Sequence, residues 1–290
     1  MAGTFEAALR RLLRRPAPSQ SCGPVYQDWQ PDLAQVEIEI TSFCNLRCIN
    51  CDRSCRQAPS TEHMTPGQVE AFCRESVAAG RTWSTITLIG GEPTLHPQLD
   101  DVLEVMGSYR RAIAHEVVLA TNGFGEAVQR RLKRLPGWLT VRNTAKKSPV
   151  QAFHAYNMAP CDDVAYDGRD FGFGCWVPQR MGIGLTRYGY YCCGAGAAVD
   201  RVFGMDIGLK RLADVAMPAL KGQMRQLCRL CGHFHSNFSL ARTTQEAYSP
   251  SWERAYRRYA ARPPVLSLYG QPSAVPSTGD RNRQEYEPVG

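Results

Sequence analysis

Three cysteines fall close together in the stretch CNLRCINC at residues 44–51, with the spacing Cys44-x3-Cys48-x2-Cys51. Thiolates are soft ligands, suited to zinc and to iron–sulfur clusters. A structural zinc wants four closed ligands, usually supplied as two separated Cys-x2-Cys pairs. A cubane cluster has four irons, so three protein thiolates leave one iron open to a ligand from outside. Tight spacing on one loop suits the wrapping of one small cluster. Cys55 lies near enough to complete a zinc set, which keeps zinc as the alternative.

A second set lies downstream. Cys175, Cys193, Cys228 and Cys231 follow the pattern Cys-x17-Cys-x34-Cys-x2-Cys. Zinc competes here too, because CRLCGHFH offers Cys228, Cys231, His233 and His235 in one stretch. Cys161 is a possible replacement ligand. Cys22 and Cys73 read as ordinary small thiols. The chain holds 12 cysteines without an apolar export signal, which points to metal or redox chemistry rather than a disulfide framework.

The elements that must position the triplet follow from periodicity. QVEIEIT (35–41) alternates apolar and polar residues, as a strand does, and the triplet leaves its end. A helix is expected over 64–80, with Gly80 at its stop. A strand over 84–93 runs into a double glycine. A helix over 97–109, a strand over 115–123 ending in Asn-Gly, a helix over 124–135 and a strand over 137–144 complete the series. Strand then helix, repeated, argues for a parallel sheet covered by helices. In barrels of this type the loops at the carboxyl ends of the strands carry the chemistry. The triplet, Gly90–Glu92 and Thr121–Gly123 all fall at such ends.

Composition sets the outer bounds. With 43% hydrophobic and 21% charged residues, the chain reads as soluble and globular, and it is expected in the cytoplasm. No apolar run is long enough to span a membrane. The net charge of +7 sits partly in RRLLRR near the start and RAYRRYAAR near the end. Neither is paired with an RNA-binding aromatic motif, so nucleic acid is not indicated. The organisation expected is a basic helix and connector over 1–30, a core over 31–165, a cysteine-rich region over 166–240, a helical segment over 241–262, and a tail over 263–290 without fixed structure.

Cys44, Cys48 and Cys51, followed by Gly90, Gly91, Glu92 and Pro93 after the second strand, resemble the signature of the radical S-adenosylmethionine (radical SAM) enzymes. Thr121, Asn122 and Gly123 resemble that family's third-strand ending. The resemblance covers roughly residues 35–145. It implies a partial (β/α)6 TIM-like barrel, followed by a small cysteine-rich module. It also implies a [4Fe–4S] cluster on the triplet, whose open iron binds the amino and carboxylate groups of SAM. Gly90, Gly91 and Glu92 would hold the methionine ammonium, and Asn122 would contact the ribose. One position departs from the pattern: the family has an aromatic residue just before the third cysteine, packing near the adenine, and here it is Asn50.

The later cysteines resemble the auxiliary-cluster module called Twitch, the short form of SPASM. That resemblance implies a second [4Fe–4S] cluster on Cys175, Cys193, Cys228 and Cys231. The module's G-x4-C element appears as Gly189-x3-Cys193, one residue short, so Cys192 competes with Cys193 as ligand. A free Cys192 beside the cluster could return a hydrogen atom to a substrate radical.

The activity implied is reductive cleavage of SAM to a 5′-deoxyadenosyl radical, which takes hydrogen from a small molecule. A fully ligated second cluster favours an oxidoreductase outcome, a net two-electron oxidation. The implied partners are a small-molecule substrate and a one-electron donor such as flavodoxin or ferredoxin. The alternatives are a maturase or epimerase of a ribosomal peptide, and a non-catalytic iron–sulfur or zinc scaffold. Only about thirty residues precede the first strand, which disfavours the peptide-recognition domain that maturases often carry. Arg142, Asn143, Lys146, His154, Tyr156 and Asn157 follow the fourth strand and are candidates for the substrate pocket.

Overall fold

The structure is a computed structural model that describes residues 28–235 and 246–270. The expected first helix, Cys22 and the end of the tail lie outside these residues. Six strands form one sheet in the order β4-β3-β2-β1-β5-β6. These are β1 (Gln35–Thr41), β2 (Trp83–Gly90), β3 (Ala114–Thr121), β4 (Thr140–Asn143), β5 (Ile183–Thr186) and β6 (Gly189–Tyr191). The first five run parallel to their neighbours, and only β6 is antiparallel. The mixed α/β sheet of mostly parallel strands is the architecture the sequence pattern called for.

The crossover helices are α1 (Pro66–Ala78), α2 (Leu99–Ile113) and α3 (Glu126–Leu132). α1 starts at a capping box: Thr65 accepts from the Gln68 N–H while the Gln68 side chain accepts from the Thr65 N–H. Its face of Val69, Phe72 and Cys73 is fully buried, and Ser76 below them accepts from Trp83 Nε1 at 3.0 Å. Burial of one such apolar side chain contributes about 1.5–3 kcal/mol. Cys73 is thus a packing residue, one of the ordinary small thiols.

Beyond β4 the chain crosses to the other edge of the sheet. β5 pairs with β1 over Val36–Ile38, and a tight turn at Arg187 and Tyr188 returns the chain as β6. The region rich in cysteines therefore shares a sheet with the triplet-bearing strand. Around it lie α4 (Trp176–Met181), α5 (Gly194–Phe203), α6 (Met217–Leu227) and α7 (Pro250–Ala261). α7 docks through Trp252, whose Nε1 donates to Leu230 O at 2.6 Å.

Residues 263–270 are not free, contrary to the expectation from their proline and serine content. Tyr269 is fully buried, donates its N–H to Arg187 O at 2.8 Å, and accepts from Gln68 Nε2 at its carbonyl at 2.7 Å. Its hydroxyl reaches Glu75 at 2.8 Å. One buried aromatic with three polar contacts outweighs the composition of its neighbours.

Candidate metal and cofactor site

The triplet leaves β1 at the carboxyl edge of the sheet. The register of β1 against β2 slips between Glu39 and Thr41, so that Thr41 faces Gly90. The β2 end then follows the cysteine loop: Gly91 N–H donates to Thr41 O and Glu92 N–H to Phe43 O, both at 2.8 Å. A Cβ on Gly90 would sit 2.1 Å from Thr41 O, and one on Gly91 would sit 2.1 Å from Phe43 O. Gly90 also has φ +146, which side-chain-bearing residues rarely adopt. The double glycine was expected to admit a ligand close to the backbone. It also admits the backbone of the cysteine loop, pressed onto the end of β2, and both glycines line the cavity at this rim.

The resemblance gave Glu92, with Gly90 and Gly91, to the methionine ammonium. In the structure Glu92 is fully buried and engaged by four donors: Thr94 N, Thr94 Oγ1, Thr121 Oγ1 and Asn122 N, at 2.7–3.1 Å. It ties the end of β2 to the end of β3 and does not line the cavity. Asn122 does line it, and donates to Asn45 Oδ1 at 2.9 Å.

A cavity of about 340 Å³ opens at this rim, and Cys44, Cys48, Cys51, Gly90, Gly91 and Asn122 all line it. Burial pushes the Cys44 thiol up to about 12 and the Cys48 thiol up to about 11. The Cys55 thiol donates to Cys51 and lowers it. Cys55 is therefore a neighbour of Cys51 in the same wall. A bound cationic centre reverses the effect of burial, because ligating thiols are deprotonated. Three soft donors on one loop facing one cavity fit a cluster by donor chemistry.

Of the residues proposed after the fourth strand, Lys146 lines this cavity. Arg142 and Asn143 are exposed on β4. Tyr156 and Asn157 are fully buried, next to Ser54 and Tyr256 in the packing of α7. His154 is exposed and forms no part of the cavity wall. Arg53, Phe153, Trp176 and His233 also line the cavity, and none was singled out for it from the sequence. Trp176, directly after Cys175, carried a usable signal; the others come from tertiary placement.

Cys175, Cys192, Cys193, Cys228 and Cys231 line a second, smaller cavity. Val177 and His233 belong to the walls of both. Cys193 caps α5, where its sulfur accepts from the Gly196 N–H at 3.2 Å. The Cys192 thiol donates to Cys193, which lowers Cys193 and raises Cys192. Cys192 does not line the triplet cavity. Cys161 lies apart from both, bonded to Arg229 and Ser251. Among the described residues, no three His, Cys, Asp or Glu side chains are grouped tightly enough for one metal ion.

Arg53 couples the two cysteine regions. It pairs with Glu37 at 2.6 Å and Glu39 at 3.5 Å. Its guanidinium lies against Gly194 at the start of α5, where a Cβ would meet Arg53 Nη1 at 2.1 Å. Arg201, from the same helix, donates to the carbonyls of Arg53 and Ala58. The loop after the triplet is thereby held from α5, which begins at Cys193.

A mostly parallel sheet thus brings three thiols, a double glycine and an Asn to one rim. Residues 38–141 match the model of the Radical SAM superfamily. That match takes in about a third of the chain, from β1 to β4, and the region is similar to the radical SAM superfamily. A probable GTP 3′,8-cyclase of Methanothermobacter marburgensis is 31% identical over 99 residues, covering 34% of this chain and 30% of the relative. One of Methanocaldococcus jannaschii is 29% identical over 92 residues, covering 32% of this chain and 29% of the relative. The match thus spans about three-tenths of these relatives' length. A crystal structure of BtrN in complex with AdoMet and 2-DOIA aligns with TM-score 0.42 and 15% identity, over 73% of this chain and 92% of that one. Streptococcus suis SuiB bound to precursor peptide SuiA aligns with TM-score 0.29 and 20% identity, over 38% of this chain and 23% of that one. Among the described residues, no helix is long and apolar enough to cross a membrane.

Proposed function

We propose that the chain is a radical SAM enzyme acting on a small molecule, with an outcome of net two-electron oxidation. The observation that carries this is one cavity walled by Cys44, Cys48, Cys51, Gly91 and Asn122. When bound, a [4Fe–4S] cluster there would supply the electron that cleaves SAM to methionine and a 5′-deoxyadenosyl radical; after that radical takes a hydrogen atom, a second cluster would accept the remaining electron as the substrate loses a proton. Cys44, Cys48 and Cys51 hold the first cluster. The backbone of Gly90 and Gly91 and the side chain of Asn122 face the cofactor. Glu92 fixes the two strand ends that carry them.

Cys175, Cys193, Cys228 and Cys231 hold the second cluster in a Twitch-like module. Cys193 is the ligand rather than Cys192, because the α5 N-terminus favours a thiolate at 193. Cys192 then packs beside it, away from the first cavity. Lys146 presents positive charge to the cavity, Arg53 lies there paired with Glu37, and His233 adds a polar ring, while Trp176 and Phe153 present flat apolar faces. That wall suits a polar ring-bearing molecule, including a nucleotide of the kind named for the cyclases. Twelve cysteines with cluster-binding spacing suit a reducing compartment such as the cytoplasm, with flavodoxin or ferredoxin as the electron source.

Anaerobic reconstitution with SAM and a strong reductant tests the reading. The enzyme should form 5′-deoxyadenosine and methionine, and Cys48→Ala should abolish both. No SAM cleavage by an iron-loaded protein rejects it. Iron and sulfide should total about eight each with two cubanes. Zinc on the second set instead would remove the Twitch-like assignment.

A further inference from the structure

Asn50, directly before Cys51, has φ +53 and is fully buried. Asn tolerates this left-handed conformation, whereas a bulky aromatic residue there is strained. The Asn50 side chain turns away from solvent to a second segment. Its Nδ2 donates to Phe153 O at 3.3 Å, and its Oδ1 accepts from Ala247 N at 3.4 Å.

That second segment runs alongside the cysteine loop. Arg47 N donates to Pro149 O and Ile49 N to Gln151 O, both at 2.7 Å. Phe153 N returns a bond to Ile49 O at 3.1 Å, and Ile49 and Ala152 form a parallel bridge. This short ladder brings the Phe153 ring to the wall of the cavity lined by the triplet. Lys146 Nζ lies 5.7 Å from the ring centroid, within the range of a cation–π contact. The cavity thus has an aromatic face beside Cys51, delivered from a segment about a hundred residues later in the chain.

We propose that Phe153 is the surface on which the adenine of SAM packs, and that Asn50 is its positioning residue. The proposal rests on the radical SAM reading of the triplet. Trp176 also lines the cavity, but it follows Cys175 and belongs to the side shared with the second cysteine set. Phe153 is the aromatic ring tied by backbone bonds to the loop that carries Cys48 and Cys51.

The test is binding without turnover, by calorimetry on the anaerobically reconstituted full chain. Two probes separate the ends of the cofactor: SAM, and S-methylmethionine, which keeps the sulfonium amino acid and lacks the nucleoside. Phe153→Ala should weaken SAM about tenfold, equivalent to ~1.4 kcal/mol, and leave S-methylmethionine within twofold of wild type. Phe153→Tyr should bind both as wild type does. Asn50→Asp, which removes the donor to Phe153 O, should show the same split at smaller size. If Phe153→Ala fails to take up iron, Phe153→Leu carries the test, since it keeps bulk and loses the flat face. SAM affinity unchanged in the Ala or Leu variant, or both probes weakened equally, overturns the proposal. Wild-type protein that binds neither probe rejects the radical SAM reading itself, a distinguishable result.

Discussion

Asn122 and Asn45 clasp each other across the rim of the sheet. Asn122 Nδ2 donates to Asn45 Oδ1 at 2.9 Å, and Asn45 Nδ2 donates to Phe124 O at 2.6 Å. Asn122 Oδ1 in turn accepts from Phe124 N at 2.7 Å. The pair closes a small ring that fastens the β3 end to the residue after Cys44. Asn122→Ala removes two of these bonds, each contributing about 1 kcal/mol. We expect a loss of 1–3 kcal/mol in urea unfolding, roughly the range for two part-buried bonds, together with slower iron uptake on reconstitution. Unchanged stability with unchanged iron uptake would show the clasp to be incidental.

Glu92 carries a heavier structural role. Its carboxylate is fully buried and accepts from four donors on two strand ends. Glu92→Ala leaves those donors unsatisfied, at about 1–3 kcal/mol for each that water cannot reach. A loss of at least about 3 kcal/mol is expected, read from the shift in urea midpoint. Glu92→Gln keeps the volume but turns one acceptor into a donor, so it should lose less than Ala and still be destabilised. If instead Glu92 only contacted the cofactor, both variants would keep wild-type stability before reconstitution.

The difference between Glu92 and the triplet shows where sequence reasoning reaches its limit. The position of Cys44, Cys48 and Cys51 at a strand end follows from the alternation in QVEIEIT, because a period of two fixes where the strand stops. The same holds for Gly90 and Asn122. Which way a side chain points beyond that stop is set by contacts remote in sequence. Glu92 turns inward because Thr121 and Asn122 offer donors there. Phe153 reaches the triplet through a ladder to residues 47–49 that no local pattern encodes. The docking of β5 against β1 and the return of the chain as β6 have no local signal either. Tyr269 was hidden by the proline and serine around it.

Arg53 is the charged link between the two cysteine sets, and its removal should be costly. It is buried with Glu37 at 2.6 Å and Glu39 at 3.5 Å. Burial pushes the Glu39 carboxyl up, opposed by Arg53 and Arg201. Arg53→Met strips the cation from two buried carboxylates, a change that typically costs about 3–5 kcal/mol. Glu37→Gln in the same chain should restore part of the loss, because one uncompensated charge is then removed. Additive losses in the double variant would mean that the ion pair is not what holds this loop. Chemical denaturation of the two single variants and the double variant gives the coupling directly.

Asp162 gives the fold a dependence on acid. It receives the Ser251 N–H at 2.8 Å and the Ser251 hydroxyl at 2.6 Å, at the first turn of α7. Partial burial raises its carboxyl, but the hydrogen bonds from Ser249 and Ser251 outweigh this and hold it below the usual carboxylate range. A carboxyl depressed in the folded state contributes stability that is fully present above its unfolded value, about 3.9. That contribution is lost as the pH falls through the folded value. Asp162→Asn should therefore be less stable than wild type by about 1 kcal/mol near neutral pH, discounted for partial exposure. The gap should narrow only below about pH 4, where wild-type Asp162 takes up its proton. Unfolding of both proteins across that range measures it. A gap that stays constant down to the acid limit would mean that the charge on Asp162 contributes nothing to holding α7.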